Sequence, residues 1–116
     1  MSNRHRLRGA ADISRVRRRG MRVACPYFVL FVAPGDSETT RLAITTPRRL
    51  GAAVARNRMR RRLRAAFRPH LATPQPVVDM VAQARRPVAD APWDCLTGAV
   101  AKSLAQARAA QVPSLA

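Results

Sequence analysis

The stretch GAAVARNRMRRRLRAAFR, from Gly51 to Arg68, decides the fold because its apolar residues recur at helical spacing. At about 100° per residue, the apolar positions fall along one stripe. The stripe consists of Ala55, Met59, Leu63, Ala66 and Phe67. The pattern predicts a helix that begins near Ala52 and packs this stripe on a sheet. It is expected to end at Arg68, because Pro69 disfavours helical geometry in the residue before it.

The opposite face of this helix is almost entirely arginine. Seven of the thirteen residues from Arg56 to Arg68 are arginine, and no acidic residue occurs between Glu38 and Asp79. Like charges at i,i+4 destabilise a helix, and exposed basic faces normally carry glutamates that relieve the repulsion. We therefore expect a bound polyanion to compensate it. The outward positions are Asn57, Arg60, Arg61, Arg64 and Arg68, and the flanks carry Arg56, Arg58 and Arg62.

The composition indicates one domain that binds nucleic acid. The chain has 116 residues, with 22 Lys and Arg against 6 Asp and Glu, and a net charge of +16. Each phosphate that a cation neutralises releases condensed counterions and favours binding. A face of nearly pure arginine recognises the phosphate backbone and the shape of a nucleic acid, as needed for a folded RNA. A recognition helix for DNA carries more residues that contact base edges than Asn57 alone. We expect a single domain over 1–116, with flexible ends at 1–8 and 112–116.

Other functional classes find little support in the residues. No stretch approaches the ~20 apolar residues that span a bilayer, and the start MSNRHRLRG lacks the apolar middle of a signal peptide. We therefore expect a cytoplasmic protein without membrane contact. Cys25 and Cys95 lack the spacing of a zinc or redox motif and are expected to be reduced and half-buried. His5 and His70 have no companion ligands and are expected to face solvent.

The other segments predict a small sheet with two more helices. Turn signals and periodicity predict a helix from Ala10 to Arg19 closed by a left-handed Gly20, and a strand from Val23 to Val32. A break near Pro26 that splits this strand into two stays open. The segment TTRLAITTP predicts a strand paired antiparallel with the preceding one. A strand from Val77 to Ala84 and an amphipathic helix from Pro92 to about Gln111 complete an α+β fold.

These residues resemble the protein subunit of bacterial ribonuclease P. Its signature, approximately Gly-x-Ala-Val-x-Arg-Asn-Arg followed by a basic helix, is matched by Gly51, Ala53, Val54, Arg56, Asn57 and Arg58. The segments RLRGAADISRVRRRG, RLAITTPRRLG and DMVAQARRP resemble the family's opening helix, its central strand with a basic turn, and its last strand. The resemblance covers about Arg6 to Val112, in the same order and spacing.

The resemblance implies both fold and function. The family has a four-stranded sheet packed with three helices in αβββαβα order and a left-handed βαβ crossover, contrary to the usual right-handed rule. The protein would assist the catalytic ribonuclease P RNA in removing the 5′ leader from precursor tRNA, without an obligate protein partner. The RNA would hold most of the Mg²⁺ and carry catalysis. The sequence agrees, since it offers no carboxylate cluster for two metals and no nucleophile paired with a base.

The resemblance also implies two binding surfaces. The surface for the RNA subunit would comprise Arg48, Arg49, Arg56, Asn57, Arg58, Arg60, Arg61, Arg64 and Arg68. A separate cleft for the single-stranded leader would comprise Ile13, Arg15, Arg17, Phe28 and Phe31. Ile13 and Arg17 stand where the family often has aromatic residues, so leader binding is expected to depend more on arginine than on stacking. Pro47 stands where serine is common.

Some alternatives stay open at this stage. Phe28 and Phe31 are three residues apart and point to opposite faces of a regular strand, so one is core and the other faces the cleft. Tyr27 is an alternative stacking residue. Trp93 is expected to anchor the last helix in the core, with base stacking as the alternative. The competing function is a structural, ribosomal-type RNA-binding protein without processing activity, and net charge alone would also suit a nucleoid DNA-binding protein.

Overall fold

The computed structural model describes residues 5–35, 38–72 and 77–111, and contains one mixed sheet with helices on both faces. The elements are α1 (Ala10–Arg19), β1 (Met21–Ala24), β2 (Phe28–Pro34), β3 (Arg41–Thr45), α2 (Ala53–Leu71), β4 (Val78–Ala84) and α3 (Trp93–Gln111). Short 3-10 turns occupy Arg48–Leu50 and Arg86–Ala89. This order of elements confirms the predicted α+β class with four strands and three helices.

The strands are arranged in the order β1-β2-β4-β3. β2 is antiparallel to both β1 and β4, and β3 is parallel to β4. The predicted antiparallel pairing of β3 with its predecessor is therefore wrong, because β4 lies between them. β4 is buried along almost its whole length. A strand this apolar is best shielded from solvent in the middle of a sheet, where it has a neighbour on each side. α2 forms the crossover that makes the parallel pair possible.

The break near Pro26 does split the first predicted strand. β1 ends at Ala24, β2 begins at Phe28, and the amide of Cys25 donates to the carbonyl of Phe28 at 3.0 Å across the turn. Because Pro26 cannot donate to a ladder, the chain reverses at this point instead of continuing as one strand. This reversal restarts the alternation of side chains and sets which residues of β2 face each side.

The larger core lies between the sheet and the two helices α2 and α3. Even-numbered residues of β2 and β4, such as Leu30 and Met80, face this side and pack with Leu63 of α2 and Leu96 of α3. The predicted apolar stripe of α2 is confirmed over Met59, Leu63, Ala66 and Phe67, which are buried, whereas Ala55 is half-buried. The last helix is anchored by Leu96, Val100, Leu104 and Ala107.

The opposite face of the sheet carries α1 and a smaller core. Val16 of α1 packs there with Ala33, Ala43 and Val81, all from odd-numbered strand positions. Leu7 joins this core, since its amide donates to the carbonyl of Leu42 at 3.0 Å and Arg6 bridges to β3. Residues 5–8, expected to be flexible, thus lie along the sheet. Residues 1–4 and 112–116, for which the same expectation was made, lie outside the described part of the chain.

Two predicted helix ends differ from the structure. α2 continues through Pro69 to Leu71, which is buried in the larger core, so the predicted end at Arg68 is wrong. Pro69 lies two residues before the helix end and removes one backbone hydrogen bond. The free energy gained by burying Leu71 offsets this loss. Gly20 is extended, with φ −75° and ψ 153°, and is not left-handed.

Gly20 is needed for space. Its amide donates to the carbonyl of Val16 at 2.7 Å, and a Cβ at this position would overlap that carbonyl oxygen and lie 3.0 Å from the backbone nitrogen and oxygen of Val32. α1 can therefore turn directly into β1 only over a residue without a side chain.

Within the described residues, no helix is both long and apolar enough to cross a membrane.

We expect Gly20→Ala to lower the free energy of unfolding by about 1 to 3 kcal/mol, because the added methyl group forces α1 away from β2. Gly98→Ala is the matched control: Gly98 lies inside α3 with nothing within 4 Å of an added Cβ, so this variant should gain roughly 0.5 to 1 kcal/mol. Urea unfolding of both variants measures the difference. Equal stabilities would contradict the close approach at Gly20.

Candidate nucleic-acid interface

α2 and the turn before it present the basic surface predicted from the sequence. Because the apolar stripe faces the sheet, the opposite positions of the helix are turned outward. Gly51, at φ 137°, lets the chain pass from the 3-10 turn into α2. The exposed members of the predicted set are Arg48, Arg49, Asn57, Arg58, Arg61 and Arg68, and the half-buried members are Arg56, Arg60 and Arg64.

Several arginines bind the protein's own backbone. Arg62 donates to the carbonyl of Val88 at 3.0 Å and to that of Ala91, and the Nε of Arg58 donates to the carbonyl of Ala89 at 3.2 Å. These bonds fasten the 3-10 turn Arg86–Ala89 to the side of α2. Since charge-assisted hydrogen bonds are stronger than neutral ones, the flanks of α2 stabilise the fold as well as carrying charge.

A cluster of guanidinium groups lies where the N-terminal segment meets α2. The Nε atoms of Arg6 and Arg64 are buried without a hydrogen-bond partner. Burial, with the positive charges of Arg6 and Arg60, lowers the pKa of Arg64 from its ordinary value, although an arginine so placed still carries its charge at neutral pH. A cleft of about 240 Å³ is lined by Arg6, Arg8 and Arg64, and Ile13 of α1 lines it as well. Such an arrangement favours a bound anion, because a phosphate supplies both the missing acceptors and the opposite charge.

The second predicted surface lies on the other side of the sheet, beside α1. Phe31 is half-buried there, and the guanidinium of Arg17 lies 5.6 Å from the centroid of its ring. Arg17 also donates to Oε1 of Gln83 at 2.9 Å. Ile13 and Phe31 both pack against the smaller core, and Ile13 lines a pocket together with Arg17. The structure thus brings Ile13, Arg17 and Phe31 together.

Phe28 does not belong to this surface. It is fully buried in the larger core, where its ring meets that of Phe67 edge to face, with centroids 5.4 Å apart. Its inclusion in the predicted cleft is therefore corrected, and the choice between the two phenylalanines is resolved in favour of Phe31. Tyr27 is also half-buried against the larger core, on the side away from α1.

Arg15 has a partner inside the protein. Its Nη2 lies 2.7 Å from Oδ2 of Asp79, and Arg41 binds both oxygens of the same carboxylate, at 2.9 and 2.8 Å. Asp79 is completely buried. Arg15, predicted to contact the leader, therefore fastens α1 to β4 and β3, while Arg17 is the more exposed of the two arginines predicted for the cleft.

Sequence reasoning missed the row of residues next to Phe31. Strand pairing places Val29, Gln83 and Thr45 side by side on the α1 face, one pleat from the row that contains Phe31. The Oγ1 atom of Thr45 is buried without a hydrogen-bond partner. The available signal was Gln83, a polar residue near the end of a strand whose only other polar residue is Asp79.

Four expectations about single residues also change. Trp93 is 47% exposed and does not anchor the core. His5 is half-buried, with Nδ1 2.9 Å from the carbonyl oxygen of Thr40, and does not simply face solvent. His70 is half-buried as well, and burial together with the charge of Arg108 lowers its pKa. Cys25 is half-buried as expected, whereas Cys95 is exposed. Both cysteines are free thiols.

The chain is similar to known proteins over nearly its whole length. The family described as "Ribonuclease P" matches residues 1–108. The "Ribonuclease P protein component" of Chloroflexus aurantiacus is 40% identical over 108 residues, which cover 92% of this chain and 80% of that protein. The component of the same name from Halalkalibacterium halodurans is 32% identical over 101 residues, covering 86% and 85%. The solved RNase P protein of Staphylococcus aureus is 28% identical, with a TM-score of 0.76 and coverage of 90% and 95%.

Neighbouring arginines on α2 should behave differently when replaced. We expect Arg62→Ala to destabilise the fold by about 1.5 to 3 kcal/mol, because it removes a charged donor from two backbone carbonyls. Arg61→Ala, at an exposed position, should leave stability within about 0.5 kcal/mol and weaken binding to a folded RNA. Thermal unfolding and RNA titration of both variants test this. The distinction fails if Arg61→Ala destabilises as much as Arg62→Ala.

Proposed function

This chain belongs to the ribonuclease P protein family, and on that premise we propose that it binds the catalytic RNA and the 5′ leader of precursor tRNA during leader removal. The observation that carries the proposal is the placement of two different surfaces on opposite faces of one sheet. The arginine surface of α2 suits a folded RNA, and the cleft beside α1 suits a single strand.

The α2 surface supports the RNA-subunit role through charge without sequence reading. Its exposed arginines, among them Arg61 and Arg68, have planar donors that take two phosphate oxygens at once. α2 itself carries no carboxylate to compete for them, and beside the helix Oδ1 of Asp90 lies 4.0 Å from Nη2 of Arg58. The unpartnered Nε atoms of Arg6 and Arg64 add a place where one phosphate is held more closely than on the open helix. We propose that the nine predicted residues of this surface contact the RNA subunit.

The cleft beside α1 supports leader binding. A single strand is commonly held by aromatic stacking together with a cationic groove. Phe31 supplies a partly exposed ring, Arg17 supplies the cation beside it, and Ile13 supplies an apolar edge. Arg15 supports leader binding indirectly: its guanidinium is bound to Asp79, so it holds α1, the helix that lines the cleft, in place. In this proposal Gln83 offers polar atoms to bases that lie across the sheet.

We propose that the RNA carries catalysis and holds the Mg²⁺. The described protein residues do not fit a protein-held Mg²⁺ site: both oxygens of the buried Asp79 are taken by arginines, and within the described ranges no three His, Cys, Asp or Glu side chains are grouped to hold a metal. The protein then contributes affinity and positive charge, which reduce repulsion between the RNA subunit and its polyanionic substrate. It would act where precursor tRNA is made, in the cytoplasm.

Cleavage of precursor tRNA by a bacterial ribonuclease P RNA at low Mg²⁺, with and without this protein, tests the proposal. Substrates with a long 5′ leader and with none are compared. We expect a gain in kcat/KM that is roughly tenfold larger for the substrate with a leader, because bases bound in the cleft add affinity only there. Equal gains for both substrates would remove the leader cleft from the proposal. Tight RNA binding without any gain would leave a structural RNA-binding protein.

A further inference from the structure

Trp93 is an exposed aromatic residue that packing does not explain. It begins α3, yet 47% of its surface is exposed, and the helix is anchored by other residues further along. The guanidinium of Arg62 lies over its ring, 5.7 Å from the centroid. An exposed fraction near one half is what remains when one ring face is covered and the other is open to solvent.

The cation that covers one face of the ring is held by hydrogen bonds. Arg62 donates to the carbonyls of Val88 and Ala91, so its guanidinium is held in place under the indole. A cation over one face of an indole is attracted to the ring, so Arg62 favours the observed placement of Trp93. The other face is then free to stack on an aromatic partner.

The surroundings of Trp93 are those of the α2 surface. α2 and α3 pack on the same face of the sheet, and α1 with the proposed leader cleft lies on the other. Arg58, which precedes Arg62 by one helical turn, and Arg61, its neighbour, are both exposed. An aromatic side chain beside exposed arginines is the combination that holds unpaired nucleotides, with the ring against the base and the cations against the phosphates.

We propose that Trp93 stacks on an unpaired nucleobase of the RNA subunit and so extends the RNA interface from α2 to the start of α3. This inference rests on the proposed function. It assigns Trp93 to the base and not to the phosphate, because Asp94 next to it in the chain and Asp90 are both exposed, and Oδ1 of Asp90 lies 4.0 Å from Nη2 of Arg58. Their negative charges disfavour a phosphate over the ring and leave a neutral base unaffected.

The intrinsic fluorescence of the protein reports this contact directly, because Trp93 is the only tryptophan in the chain. The full-length protein is titrated with ribonuclease P RNA, and binding is measured separately by filter retention of labelled RNA. We expect tryptophan emission to be quenched in step with binding, and the indole to become protected from acrylamide at saturation.

Two substitutions at the same position separate stacking from simple burial. Trp93→Phe keeps an aromatic face, and Trp93→Leu keeps apolar bulk without one. We expect Trp93→Leu to weaken RNA-subunit binding about tenfold and Trp93→Phe to weaken it less than about threefold. The slope of log K against log salt should be the same for Trp93→Leu and the unmodified protein, since stacking releases no counterions. Thermal unfolding checks that both variants are folded.

The possible outcomes are distinct. Saturated RNA binding with unchanged emission and acrylamide access would overturn the stacking inference and leave the proposed function intact. An equal loss of affinity in the two variants would also overturn stacking. Quenching by a leader oligonucleotide without the RNA subunit would overturn the assignment of the partner. Failure of the unmodified protein to bind the RNA subunit at all would contradict the proposed function itself.

Discussion

β4, the last strand in the chain, occupies the middle of the sheet, and both surfaces of the protein depend on it. Its even-numbered residues, such as Met80, build the core under α2 and α3. Its odd-numbered residues face α1, where Val81 packs with Val16. β4 can reach this place only after α2 has crossed the sheet, because β3 and β4 are parallel. A single strand therefore holds the arginine helix on one side and the cleft on the other.

The buried carboxylate of Asp79 connects this strand to the cleft. Removing a charge from water is costly, and two arginines compensate it here from different elements, Arg15 from α1 and Arg41 from β3. Such a cluster adds little net stability compared with an apolar core, but it admits only one position of α1 relative to the sheet. The distance between Arg17 and Phe31, and hence the shape of the cleft, follows from that position.

Local patterns in the sequence predict the elements well and their pairing poorly. The apolar stripe of α2 and the turn at Pro26 follow from periodicity and from proline chemistry, whereas nothing near β3 indicates that β4, far along the chain, will lie beside it. The role of Gly20 depends on the approach of Val32, which is also distant in sequence. The structural role of Arg62 could not be predicted from its place on the flank of α2, because the carbonyl groups that it binds lie on a turn whose position only the fold determines.

The central claim is that the two proposed RNA-binding surfaces, on opposite faces of the sheet, act independently. The most direct test compares Arg61→Ala/Arg68→Ala with Phe31→Leu in the assembled holoenzyme. The account predicts that the arginine variant flattens the salt dependence of RNA-subunit binding by roughly one to two units of slope and keeps the preference for substrates with a leader. Phe31→Leu should leave that slope unchanged and lose the preference. If either variant alters both quantities, the two surfaces are not independent and the account is wrong.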